Sequence, residues 1–199
     1  MKHVLTSLLA IFMVMPGRGQ EVLPVQALMP KGDIKMKDIS GSLVSLNDAK
    51  TANGLLVMFS CNTCPYVKRN ESRTREILQY AQDKNVGVIM LNSNEANREG
   101  GDSYADMQNY AKQQNYNWKY VMDSHNELAD AFGANRTPEC YLFDNGGKLV
   151  YHGAIDNSPA DIKNVTRVHL REAINEMLSG KDVSIKESRS VGCTIQRKL

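Results

Sequence analysis

The chain has 199 residues, 42% of them hydrophobic, with 24 Lys and Arg against 22 Asp and Glu for a formal charge of +2. That length allows one domain with a sizeable core, and the apolar content with mixed charge excludes a disordered chain. Four cysteines, at 61, 64, 140 and 193, are too few for a disulfide-rich scaffold of this size.

Lys2 and His3 precede an apolar run from Val4 to Met15, and Gly17-Arg18-Gly19 supplies small residues at a cleavage position. The run is too short to span a bilayer, which needs about 20 apolar residues. Residues 1–19 therefore read as a bacterial export leader, implying a periplasmic or otherwise exported protein with no stable membrane insertion after cleavage. The competing reading is a mobile apolar N-terminus in a cytosolic protein. Lys2 and Arg18 are the only Lys or Arg in this segment, which has no acid, so the remainder balances at 22 basic and 22 acidic residues. A basic stripe for nucleic acid is not indicated.

Residues 20–33 contain Pro24, Pro30 and Gly32 and are expected to run extended over the surface. Two short strand-like pieces around Ser40-Gly41-Ser42 read as an N-terminal hairpin. "LLVMF" (55–59) is a continuous apolar run, as in a strand covered on both faces. The pair Cys61-Asn62-Thr63-Cys64 follows at once. Val67, Thr74, Ile77, Leu78 and Ala81 are then spaced for one face of a helix. "VGVIMLN" (86–92) is a second buried strand, and polar residues 93–102 form a loop with Gly100-Gly101.

Tyr104, Met107, Tyr110 and Ala111 mark a second helix, "WKYVMD" a short strand, and Leu128, Ala129 and Phe132 a small helix. "ECYLFD" and "KLVYHGAI" flank Asn145-Gly146-Gly147, a strong hairpin signal. The clearest helical stripe, Leu170, Ala173, Ile174, Met177 and Leu178, stops at Gly180. Residues 20–180 thus form one α/β domain, a central mixed sheet flanked by helices with an N-terminal β-hairpin extension. Residues 181–199 are a polar tail carrying Cys193.

The cysteine pair lies between a buried strand and a helix whose first turn holds Pro65, where a missing N–H is harmless. Unsatisfied N–H groups at a helix N-terminus favour a thiolate. Cys61, at the strand end and nearer solvent, is expected to attack a disulfide. Cys64, more buried, is expected to resolve the mixed disulfide. Two rivals remain open at this point: a metal site, for which four close ligands are not evident and the histidines lack ligand spacing, and a structural disulfide, which would close a very small loop. Downstream, "RTPEC" places Thr137-Pro138 before a strand. A cis bond there would present the Thr137 backbone for pairing with an extended substrate segment; a trans proline opening an edge strand is the plain alternative.

The "FSCNTCP" junction, "TPECYLFD", the "GGKLVYHG" hairpin and the last helix resemble the thioredoxin-like superfamily, in its redoxin branch with alkyl hydroperoxide reductase/thiol-specific antioxidant-like proteins and exported disulfide reductases. The resemblance covers roughly residues 30–197. It implies a thioredoxin fold with Cys61 as nucleophile, Cys64 as resolver and Pro138 as a cis proline, acting without a cofactor or metal on thiol- or disulfide-containing proteins and fed by a thiol-disulfide electron donor. The chain departs from that pattern at three places. Leu55 stands where thioredoxin has a buried acid, Val67 where exported reductases often have one, and Ser60 where a tryptophan is usual, so the base that serves Cys64 is unassigned. A peroxiredoxin pattern P-x-x-x-T-x-x-C fails when aligned on Cys64, since Cys61 and Val57 fill the Thr and Pro places. The function expected is an exported thiol-disulfide oxidoreductase. The alternatives are a thiol peroxidase and a binding module with structural or metal-binding cysteines.

Given that fold, Cys140 lies near the active-site surface and reads either as a core residue or as a third redox thiol. Cys193 is expected to pair with Cys140 or, transiently, with Cys61, the bend at Ser190-Val191-Gly192 letting Thr194-Ile195 return as an edge strand; the plain alternative is an exposed or packed free thiol. Tyr66 is a candidate wall of the substrate groove, with plain packing as the alternative. Trp118 is expected in the core or near the sheet edge.

Overall fold

The computed structural model describes residues 21–198, so the leader expected at 1–19 lies outside the described residues. In chain order the elements are β1 (Met36–Asp38), β2 (Leu43–Val44), α1 (Leu46–Ala49), β3 (Leu55–Ser60), α2 (Pro65–Asp83), β4 (Gly87–Asn92), α3 (Tyr104–Gln114), β5 (Lys119–Met122), α4 (Glu127–Phe132), β6 (Arg136–Thr137), β7 (Glu139–Phe143), β8 (Leu149–Gly153), α5 (His169–Leu178) and β9 (Cys193–Thr194). Seven strands form one sheet in the order β2-β1-β5-β4-β3-β7-β8, and β6 pairs with β9 separately.

The centre of the sheet is parallel: β3 runs beside β4 from Leu55↔Gly87 to Ser60↔Asn92, and β4 beside β5. The β7–β8 hairpin turns over Asn145-Gly146-Gly147 and adds antiparallel strands on the other flank. Strand alternation splits the core in two. Leu56 and Met58 of β3 pack with Ile77, Leu78, Met107, Leu170 and Ile174 of α2, α3 and α5. Leu55, Val57 and Phe59 pack with Leu46, Leu128 and Phe132 of α1 and α4. Continuous burial along "LLVMFS" therefore reflects helices on both faces.

Two expectations are refined. The N-terminal hairpin forms, but β1 also pairs with β5 through Lys37↔Met122 and Asp38↔Val121, so it completes the sheet rather than standing apart. The polar tail is packed. The His152 N–H donates to the Lys186 carbonyl at 2.9 Å and the Ser188 N–H to that of His152 at 3.0 Å, so residues 186–188 run along β8. Beyond them β9 reaches β6, and Ile195 is buried against Phe59 and its neighbours. The return of the tail as a short strand matches the expectation; its run along β8 does not show in the polar composition, because it is held by backbone hydrogen bonds, which any residue but proline can donate.

Candidate functional site

β3 ends at Ser60 and α2 begins at Pro65, so the turn between them is Cys61-Asn62-Thr63-Cys64. Cys64 is the N-cap residue in extended backbone (φ −67°, ψ 124°), and Pro65 takes the first helical position. Facing this turn is the Thr137-Pro138 peptide, which is cis. Cys61 Sγ lies 3.5 Å from Thr137 Oγ1, and Cys64 Sγ 3.3 Å from the Thr137 carbonyl oxygen. Buried Glu139 on β7 holds the approach to the proline. Its Oε2 accepts the Asn135 and Arg136 N–H groups at 2.8 and 2.9 Å, and its Oε1 lies 2.7 Å from His152 Nε2.

The disulfide of the structure joins Cys64 to Cys193, while Cys61 and Cys140 are free. The pairing expected with Cys140 is therefore corrected, and the partner seen is Cys64 rather than Cys61. The reason is register. β9 lies antiparallel to β6 with Thr137↔Cys193 and Arg136↔Thr194, which brings the Cys193 side chain to the residue whose carbonyl Cys64 touches. Cys140 is out of reach. It is fully buried opposite Met58 of β3, among the side chains beneath α2 and α5, where burial first and the Glu139 and Asp156 charges second push its thiol far above the ordinary range.

A second correction concerns Cys61. The sequence places it nearer solvent than Cys64, yet both are buried, at 1% and 3% exposed, with Val67, Tyr66 and Cys193 packed around them and Thr137 beside Cys61. Burial also pushes the Cys61 thiol up, and the nearby Asp102 carboxylate adds to the rise. The Thr137 hydroxyl and the Cys64 and Thr63 N–H groups pull the other way but are outweighed. The helix N-terminus does favour the thiolate, but loss of water costs more in this closed arrangement.

Asp102 is the site residue that sequence reasoning missed. It is fully buried, and both oxygens are saturated. Oδ1 accepts the Asn62 N–H at 2.8 Å and Asn92 Nδ2 at 2.9 Å; Oδ2 accepts Thr63 Oγ1, Asn94 Nδ2 and Asn97 Nδ2 at 2.8, 3.1 and 2.6 Å. Burial would raise its pKa, but these donors win and hold it below the usual carboxylate value. Tyr120 closes the network, donating to Asn62 Oδ1 at 2.8 Å. Asp102 therefore positions the Asn62-Thr63 turn from a loop that looked merely polar. The available signal was the density of amide side chains at 92–97 followed by Gly100-Gly101, where positive φ at Gly101 (+109°) turns the chain into Asp102.

Tyr66 packs, partly buried, against the cluster of Cys61, Cys64 and Val67, with the Arg69 guanidinium 5.3 Å from its ring centre. Trp118 is buried in the cluster beneath α2 and α3. Among the described residues, no three His, Cys, Asp or Glu side chains gather as metal ligands. No helix there is long and apolar enough to cross a membrane.

A family profile described as the AhpC/TSA family matches residues 27–152. No curated protein matches the chain. Among solved structures, an uncharacterized conserved protein from Geobacillus kaustophilus is 33% identical with a TM-score of 0.80, covering 92% of this chain and 97% of that one. A hypothetical protein from Sinorhizobium meliloti 1021 is 29% identical with a TM-score of 0.81, covering 90% and 97%. The thioredoxin domain of a thiol-disulfide oxidoreductase from Bacteroides vulgatus is 20% identical with a TM-score of 0.54, covering 65% and 88%, a likeness of fold that makes the sheet thioredoxin-like.

Proposed function

The chain belongs to the AhpC/TSA family, and from that premise we propose that it is an exported thiol-disulfide oxidoreductase acting on protein substrates through Cys61 and Cys64. Residues 1–19 are the leader, 20–180 the redoxin domain and 181–199 a tail that returns to the site. One observation carries the reading. An extended, cysteine-bearing strand is seated against Thr137, antiparallel to β6, with its sulfur bonded in the CNTC turn. A partner's cysteine segment fits the same place by the same backbone pairing.

The chemistry is two displacements. The Cys61 thiolate attacks one sulfur of a partner disulfide; the Cys61–partner bond forms, the partner S–S bond breaks, and the expelled thiolate takes a proton. The Cys64 thiolate then attacks Cys61 Sγ, closing Cys61–Cys64 and releasing the partner reduced by two electrons. A dithiol protein donor restores the pair, and the reverse sequence oxidises a partner dithiol. Thr137 and Pro138 line the pairing edge and Tyr66 the adjacent wall.

A second reading, thiol peroxidase, draws support from the family. Against it, with the peroxidase pattern aligned on Cys64, Cys61 and Val57 stand where that pattern needs Thr and Pro. One experiment separates them. In the Cys64→Ser, Cys193→Ser double variant, both sulfurs able to resolve an adduct are gone, so Cys61 is expected to accumulate reductant-sensitive mixed disulfides with exported proteins. Absence of such adducts, together with rapid hydrogen peroxide consumption by the wild-type chain, would replace the proposal with the peroxidase.

A further inference from the structure

Resting on the oxidoreductase reading, we propose that Cys193 is a third redox thiol: it takes over the Cys61–Cys64 disulfide by attacking Cys64, so that the tail is an internal substrate that resets Cys61.

Three sulfurs, those of Cys61, Cys64 and Cys193, share one cluster with Val67 and Tyr66. The bond seen is Cys64–Cys193, with Cys61 free beside it. Turnover as proposed leaves Cys61–Cys64, so the arrangement seen is one exchange further on. The balance is simple. The Cys193 thiolate attacks Cys64 Sγ, the Cys64–Cys193 bond forms, the Cys61–Cys64 bond breaks, and the electron pair leaves on Cys61, which takes a proton. No net electrons move; one disulfide changes owner. A dithiol donor then attacks Cys193, the least buried of the three sulfur-bearing residues, giving a mixed disulfide and a Cys64 thiolate. The donor's second thiol displaces Cys193, and the two electrons of the donor complete the cycle.

The tail is built for delivery rather than left to chance. Upstream, residues 186–188 are tied to β8. Downstream, the Ile195 N–H donates to the Asn135 carbonyl at 3.1 Å, and the Ala96 N–H to the Gln196 carbonyl at 2.9 Å. The Gln196 N–H bonds Asn94 Oδ1 at 3.0 Å, and the Arg197 guanidinium lies 2.9 Å from Asp130. Gly192 passes so near β6 that a Cβ there would sit 2.0 Å from the Thr137 carbonyl oxygen. Anchors on both sides of Cys193 give it a high effective concentration at Cys64. A permanent brace would need no free thiol alongside it; here the thiol that can reopen the bond is in the same cluster. The same docking places β9 on the edge where a partner segment would pair, so tail and partner exclude one another.

The test uses the full chain, fully reduced and folded, mixed with one equivalent of a small peptide disulfide. Samples are quenched by acid and alkylation over time, and disulfides are mapped by peptide mass. The expected course is Cys61–Cys64 first, decaying into Cys64–Cys193 as Cys61 becomes alkylatable on unfolding. In Cys193→Ser the sequence should stop at Cys61–Cys64. In Cys61→Ser, Cys64–Cys193 should appear slower by roughly a hundredfold or more, since the intramolecular route is lost. Wild-type protein that exchanges with the peptide yet stays at Cys61–Cys64 would overturn the relay alone. Equal formation of Cys64–Cys193 in Cys61→Ser would also overturn it, as a brace made independently of Cys61. Failure of both wild type and Cys193→Ser to reduce the peptide would instead overturn the oxidoreductase reading on which the relay stands.

Discussion

Three of the buried carboxylates, Asp102, Asp156 and Glu71, are handled in three ways, each set by its neighbours. Asp102 accepts five hydrogen bonds and is held ionised, so its role is to fasten the Asn62-Thr63 turn rather than to carry a proton. Asp156 is neutralised by Arg73, whose Nη1 lies 2.6 Å away, with both side chains almost wholly buried. Glu71 on α2 is the strained one. Its Oε2 accepts Tyr110 and Tyr116 hydroxyls at 3.0 and 3.1 Å, but Oε1 has no partner, and burial pushes its pKa up. For an acid raised in the folded state, the fold holds a proton that the unfolded chain has already lost. Stability therefore falls as pH rises from the ordinary value of 4.5 through the raised one, and stays lower above it. Glu71→Gln keeps an acceptor for both tyrosines. It is expected to be more stable than wild type near neutral pH and to lose that advantage in acid, as read by denaturant midpoints across pH. A constant difference at every pH would remove ionisation as the cause.

At the scale of elements, two features compete over Cys61. The first turn of α2 offers N–H groups that favour a thiolate, and β9 removes the water that would help it. β9 is one of the elements packed there, and it lies so close to β6 that a Cβ on Gly192 would meet the Thr137 carbonyl. Gly192→Ala forces a methyl group into backbone, a cost of about 1–3 kcal/mol that lifting β9 relieves. In the oxidised protein, Cys61 should then react with an alkylating agent at neutral pH faster than in wild type by roughly tenfold or more, as a locally opened segment does. Alkylation as slow as in wild type would mean that another element shields Cys61. The AhpC/TSA match stops at residue 152, short of this strand.

For the whole molecule, the Cys64–Cys193 bond ties α2 to the tail across a separation of 129 residues. Closing so long a loop restricts the unfolded chain, worth up to about 5 kcal/mol by chain entropy. Reduction should lower the guanidinium midpoint accordingly, with m rising as the unfolded chain loses its crosslink. Cys193→Ser kept reduced should resemble the reduced wild type. If its midpoint matched the oxidised wild type instead, the crosslink would contribute nothing to stability. The docked tail also contacts β8, β6 and the 94–97 loop, three separate parts of the fold.

The order of strands and helices, the hairpin at Asn145-Gly146-Gly147 and the Cys61–Pro65 junction were all readable from the chain. Hydrophobic period, turn residues and a proline in a helix's first turn are local signals, written within a few neighbours. Helix-flanked burial of β3 was readable too, since an unbroken apolar run has no wet face to offer. The partner of Cys64, the burial of Cys61 and the clamp on Asn62 were not. Each depends on groups far apart in sequence: Asp102 is 40 residues from Asn62, and Cys193 lies 129 from Cys64. Sequence pattern says which side chains can react. Which sulfur meets which is decided by strand register and by the water excluded when the tail docks, and those exist only once the chain has folded.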